Sequence, residues 1–61
     1  MATLTSKELS GIEDQLKCEE TVICKCKMYA SDTQDPVLKE KLNELINKHQ
    51  HHYDTLYSLL S

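Results

Sequence analysis

The feature that constrains this chain most is a pair of heptad seams separated by one Asp-Pro step. In each half, mostly apolar residues recur at alternating spacings of three and four, as they do along one face of an amphipathic helix. The first seam comprises Leu9, Ile12, Leu16, Glu19, Ile23, Cys26 and Ala30, and the second comprises Leu38, Leu42, Leu45, His49, His52, Leu56 and Leu59. The spacing therefore predicts two amphipathic α-helices.

Capping residues mark where both helices begin. Thr5, with Glu8 three residues later, forms a capping box. Asp35 followed by Pro36 places an N-cap before a proline at the first helical position, where its missing N–H has no cost. The sequence predicts helices over about 5–31 and about 36–60, joined by a turn over about 32–35.

Two long helices joined by a short turn form an antiparallel hairpin. If the chain reverses near Gln34, facing residues have numbers that sum to about 68, so that Glu19 lies level with His49. With only one Gly and one Pro among 61 residues, a β fold with many turns is excluded. We therefore predict an all-α fold, a single helical-hairpin domain over 1–61.

The apolar face is wider than a two-helix seam requires. Positions beside the seams also carry apolar side chains, namely Val22, Tyr29, Ile46, Tyr53 and Leu60. A chain of this size buries only about 60% of its unfolded surface, so a hairpin alone has a marginal core. We expect a homodimer that completes a ferritin-like four-helix bundle.

Three polar residues stand inside the seams: Glu19, His49 and His52. A carboxylate and two imidazoles are suitable ligands for a transition metal such as Zn, Fe or Mn, and Glu20 beside the seam is a candidate further ligand. The alternative is a hydrogen-bonded polar layer that fixes register and dimer state. Both interpretations stay open from the sequence. His51 projects away from the seam and is interpreted as a surface residue.

The cysteines carry no zinc-binding spacing, because C-x-C on a helix directs its two thiols apart. Cys26 falls in the seam, where we expect a small buried side chain. Cys18 and Cys24 fall on outward positions. They are interpreted as free thiols in a reducing compartment, with intermolecular cross-linking as the alternative.

Several classes of function are disfavoured. The net charge is −3 with no Arg, and the seven Lys are scattered, so we expect no nucleic-acid partner. No apolar run approaches the roughly 20 residues of a membrane span. The start MATLTSKEL lacks the apolar segment of a signal peptide, so we expect synthesis in the cytoplasm without one. No nucleophile–base pair or phosphate loop is present, and we expect no enzymatic activity.

Three segments of the chain resemble short members of the spore coat protein F family: LTSKELSGIEDQLKCEE, YASDTQDPVLKEKL and INKHQHHYDTLYSLLS. The resemblance covers the chain from about residue 4 to 60 and is carried by Glu19 and Glu20, Asp35 and Pro36, and His49, His52 and Tyr53. Members from endospore-forming bacteria are ferritin-like helical proteins of the spore coat. The resemblance thus implies location in the spore coat, other coat proteins as partners, and no enzymatic activity.

These observations order the candidate functions. The first is a structural spore coat component that self-associates through its apolar helical face. The alternative is a ferritin-like metal-binding protein that uses Glu19, His49 and His52. A small adaptor hairpin that binds a helix of another protein shares the same fold.

Overall fold

The structure, a computed structural model, describes residues 3–60. It consists of two helices, α1 (Ser6–Asp32) and α2 (Pro36–Ser58), packed antiparallel as a hairpin about 46 Å long, 16 Å wide and 11 Å thick. The predicted all-α hairpin is confirmed. Residues 1, 2 and 61, which the predicted domain includes, lie outside the described residues.

Helix α1 begins with the predicted capping box. The backbone N–H of Glu8 donates to Thr5 Oγ1 at 3.1 Å, and the backbone N–H of Thr5 donates to Glu8 Oε1 at 3.0 Å. The pKa of Glu8 is lowered because its carboxylate accepts the backbone N–H of Thr5 and interacts with the Thr5 hydroxyl. Two N–H or O–H groups at the helix start, which have no partner within the helix, are therefore satisfied locally.

The connection between the helices is short and hydrogen-bonded. The backbone N–H of Asp35 donates to Thr33 Oγ1 at 3.2 Å. Asp35 Oδ1 then accepts the N–H groups of Val37 and Leu38 at 2.9 and 3.3 Å. Asp35 is thus the N-cap of α2 and Pro36 its first residue, as predicted.

Helix α2 ends at Ser58, two residues before the predicted limit of 60. The N–H of Leu59 donates to the carbonyl of Leu56 at 3.1 Å, and that of Leu60 donates to the carbonyl of Tyr57 at 3.0 Å. These bonds join residues three apart, which tightens the backbone beyond α-helical geometry. The heptad spacing continues through Leu59 and so gave no sign of this ending.

Burial is unequal between the two seams. Five residues of α1 are buried, whereas α2 has none in the buried class: the five are Leu16, Glu19, Ile23, Cys26 and Ala30. The reason is side-chain size, because the small side chains of Cys26 and Ala30 are readily covered by the leucines of α2. Those leucines extend past the edge of α1, and Leu38 and Leu45 stay 47% and 42% exposed.

The surface carries two of the three thiols. Cys18 and Cys24 are exposed and Cys26 is buried, all three as free cysteines, in agreement with their heptad positions. Within residues 3–60, neither helix has a stretch that is long and apolar enough to cross a membrane.

Candidate metal centre

Glu19 stands at the middle of α1. The helix has 27 residues, so thirteen precede Glu19 and thirteen follow it. Its carboxyl is buried, with the residue only 6% exposed. His49 and His52 lie one turn apart on the same face of α2, because residues three apart on a helix are neighbours. The predicted pairing of Glu19 with His49 is confirmed.

The two imidazoles approach the same carboxylate from one side. His49 Nδ1 lies 2.5 Å from Glu19 Oε2, and His52 Nδ1 lies 3.7 Å from Glu19 Oε1. The two rings stand edge to face, with centroids 5.4 Å apart and an interplanar angle of 82°. An ionised carboxylate can only accept, so the short contact requires a hydrogen on His49 Nδ1.

A fourth residue completes the group. Gln15, one turn before Glu19 on α1, donates its side-chain N–H to Glu19 Oε1 at 3.2 Å. The sequence analysis did not single out Gln15. The available signal was its position four residues before a seam carboxylate, where a helix brings two side chains into contact.

The surroundings of Glu19 favour its ionised form. The hydrogen bond with His49 lowers the pKa of Glu19 most, and burial opposes this effect. The hydrogen bond from Gln15 and the charges of the two imidazoles lower the pKa further. The hairpin thus holds an anionic carboxylate at its centre, ready to accept hydrogen bonds or a cation.

The three predicted ligands fit a metal ion by distance and by chemistry. One ligand atom from each of Glu19, His49 and His52 can be chosen so that all lie within 4.8 Å of one another. Ligand atoms of a tetrahedral zinc site lie about 3.4 Å apart, so side-chain movements of about 1 Å suffice. Two imidazoles and one carboxylate form a known zinc ligand set that leaves a further coordination position.

The same group is also satisfied without an ion. Within residues 3–60, no buried side-chain nitrogen or oxygen lacks a hydrogen-bond partner. Glu19 accepts from Gln15 and from His49, and His52 lies beside it. The polar-layer interpretation therefore also fits this geometry, and only a binding measurement separates it from the metal interpretation.

Glu20, the predicted further ligand, lies outside the three-residue group. It lines a groove with Tyr53 and Gln50, whereas Glu19 and His52 line a separate groove. A hydrogen bond with the Glu20 carboxylate, together with burial, raises the pKa of Tyr53. The structure thus gives Glu20 a partner on α2 other than the two histidines.

His51 is exposed, as the sequence predicts, and lies at the mouth of the group. It lines the groove that also contains Glu19, His52, Thr55 and Leu56. This groove opens to solvent and gives small ions a path to the carboxylate. It also makes His51 the residue to remove as a control in any metal measurement.

No protein-family model, no curated protein and no solved structure matches this chain. The likeness to the spore coat protein F family stays a prediction from the sequence. The chemistry of the centre is therefore argued from the geometry of Glu19, His49 and His52 alone.

Proposed function

We propose that this protein is a structural protein that self-associates through the apolar face of its helical hairpin. The observation that carries the proposal is the incomplete burial of α2: Leu38, Leu45 and Leu59 remain 47%, 42% and 48% exposed. Leaving such a row of leucines in water forgoes much of the burial that stabilises a small domain. A second apolar face would supply it.

The shape of the hairpin supports a role in an ordered layer. At 46 × 16 × 11 Å it is a narrow rod that can pack side by side with others. The spore coat as its location, and other coat proteins as its partners, are proposed from the sequence resemblance. The absence of enzymatic activity stays a prediction.

Sedimentation equilibrium over a wide range of protein concentration tests self-association directly. We expect a reversible dimer at micromolar concentration. A protein that sediments as a monomer throughout contradicts the proposal. For the coat, a fluorescent fusion expressed in a sporulating bacterium should collect at the spore surface, and diffuse mother-cell fluorescence would count against that location.

The convergence of Glu19, His49 and His52 favours a second function, the binding of a divalent transition metal. Imidazole nitrogen and carboxylate oxygen suit Zn, Fe and Mn, and three protein ligands leave a position for water or another ligand. The buried carboxylate would supply the negative charge, and the two histidines would fix the ion against α2.

Cobalt(II) titration followed by visible absorption tests this second function. We expect saturation at one metal per chain, or at one-half if two chains share an ion. Glu19→Gln keeps the size of the side chain but removes its charge, and should abolish the signal. His51→Ala should leave the signal unchanged. Binding that survives Glu19→Gln and disappears in His51→Ala would identify surface binding only.

A further inference from the structure

Every seventh residue of α2 forms one partly exposed line along the helix. Leu38, Leu45 and Leu59 are 42–48% exposed, and the side chain of His52 is 44% exposed. The alternate seam positions, Leu42, His49 and Leu56, are better covered. We call the first set the heptad line, defined by Leu38, Leu45, His52 and Leu59. A heptad repeat keeps such residues on one side of a helix.

The heptad line includes a member of the polar group. His52 interrupts three leucines, and its Nδ1 faces Glu19 Oε1 at 3.7 Å. A surface that covers the leucines therefore covers the exposed edge of the Glu19, His49 and His52 group as well. Water would then be excluded from one side of a buried carboxylate, which raises the cost of leaving any of its polar atoms unpartnered.

The position of Glu19 points to a second copy of the chain as the partner. Because Glu19 is the central residue of α1, a copy that overlaps the hairpin along its whole length brings its own polar group to the same level. This holds whether the two hairpins run parallel or antiparallel. A wholly apolar helix from another protein would cover the leucines but place no polar residue against His52.

We propose that a second copy of this chain packs on the heptad line, and that the Glu19, His49 and His52 group is closed from solvent only in this dimer. The inference rests on the self-association and the metal binding proposed above, and it joins them. An ion held in the closed group stabilises the dimer, and dimerisation tightens the ion by the same factor, since coupling between two binding events is reciprocal.

The first test asks whether the heptad line is the dimer surface. Leu45→Glu places a charge at its centre, and Met28→Glu places the same charge on α1 at a residue that is 61% exposed and off the line. We expect Leu45→Glu to weaken the dimer by about 100-fold or more, as for a central interface residue. Met28→Glu should leave the dimer within about threefold of wild type in sedimentation velocity.

A second variant guards against a simple loss of folding. Leu38→Glu lies in the first turn of α2, where a negative charge is favourable to the helix. We expect it to retain the helical circular dichroism of the wild type and to dissociate the dimer. Folded Leu45→Glu and Leu38→Glu proteins that dimerise like the wild type would overturn the inference and leave self-association itself intact.

The second test asks whether dimerisation closes the group. The Leu45→Glu protein keeps all three ligands, so cobalt(II) binding to it isolates the contribution of the second copy. We expect an affinity at least tenfold below that of wild type, with Met28→Glu unchanged. Equal affinity in the monomeric variant would overturn the closure while metal binding stands. A wild-type dimer that binds no cobalt(II) would overturn the closed metal site together with the second function.

Discussion

The two helices carry the same heptad spacing but use it differently. In α1 the seam is covered, and Leu16, Ile23, Cys26 and Ala30 are 6–9% exposed. In α2 the seam is divided lengthwise, with one line toward α1 and the heptad line partly in solvent. One helix thus forms the core of the hairpin, and the other covers that core and presents a surface. A single periodic pattern can serve two roles when the facing side chains differ in size.

The sharpest way to break this comparison is to truncate one residue of each seam at the same level. Ile23→Ala empties a buried position of α1, and we expect it to lower the free energy of unfolding by about 3 kcal/mol. Leu45→Ala removes a side chain that is 42% exposed, and should cost about 1 kcal/mol in the monomer. Urea denaturation at a concentration that favours the monomer measures both.

The Leu45→Ala cost should grow at high protein concentration if a second copy covers this residue, since the dimer adds stability by mass action. The Ile23→Ala cost should stay the same. Equal costs for the two variants at low concentration would contradict the unequal burial of the two seams.

The two N-caps offer a second, smaller comparison. Asp35 accepts two backbone N–H groups of α2, and Thr5 accepts one of α1. We expect Asp35→Ala and Thr5→Ala each to lower the free energy of unfolding by about 1 kcal/mol, with Asp35→Ala the larger. Thermal denaturation followed by circular dichroism is sufficient. A larger loss for Thr5→Ala would show that its box with Glu8 contributes more than the second N–H at Asp35.

A gain of stability is expected in the first turns of α1. A Cβ added at Gly11 meets no other atom within 4 Å, so alanine fits without rearrangement. Gly11→Ala should raise the free energy of unfolding by about 0.8 kcal/mol, the difference in helix propensity. Unchanged or reduced stability in urea would indicate that the partner chain approaches α1 at this position.

The smallest expected effect is a pH dependence at the start of α1, which has an acidic residue in its first turn while α2 has none. The folded pKa of Glu8 is lowered from the ordinary 4.5. Its contribution is therefore present above about pH 4.5 and is lost as the pH falls through the lowered value.

Glu8→Gln keeps the capping geometry without the charge. Its difference in stability from wild type should be small at pH 7 and vanish near pH 3. A difference that persists unchanged at pH 3 would assign the effect to the loss of the box itself.

The sequence was sufficient for the hairpin, both N-caps and the meeting of Glu19 with His49, because spacing and capping chemistry are local signals that packing reinforces. It was insufficient for the division of the α2 seam, because heptad spacing treats Leu38 and Leu42 alike and burial depends on what stands opposite. The pairing of Glu20 with Tyr53 was missed for a related reason. Both residues lie beside the seams, and only the packing of the two helices settles which flanks meet.

The short connection over 33–35 also orders how the hairpin assembles. It joins the helices at one end only, so the loop closed by each cross-helix contact lengthens with distance from it, and Glu19 and His49 already lie thirty residues apart in sequence. Closure entropy rises with that length. Contacts should therefore form first beside the connection and spread toward Leu9 and Leu59, with the polar group joining midway. Amide hydrogens at that far end should be the quickest to exchange, and a partner seated there would slow them most.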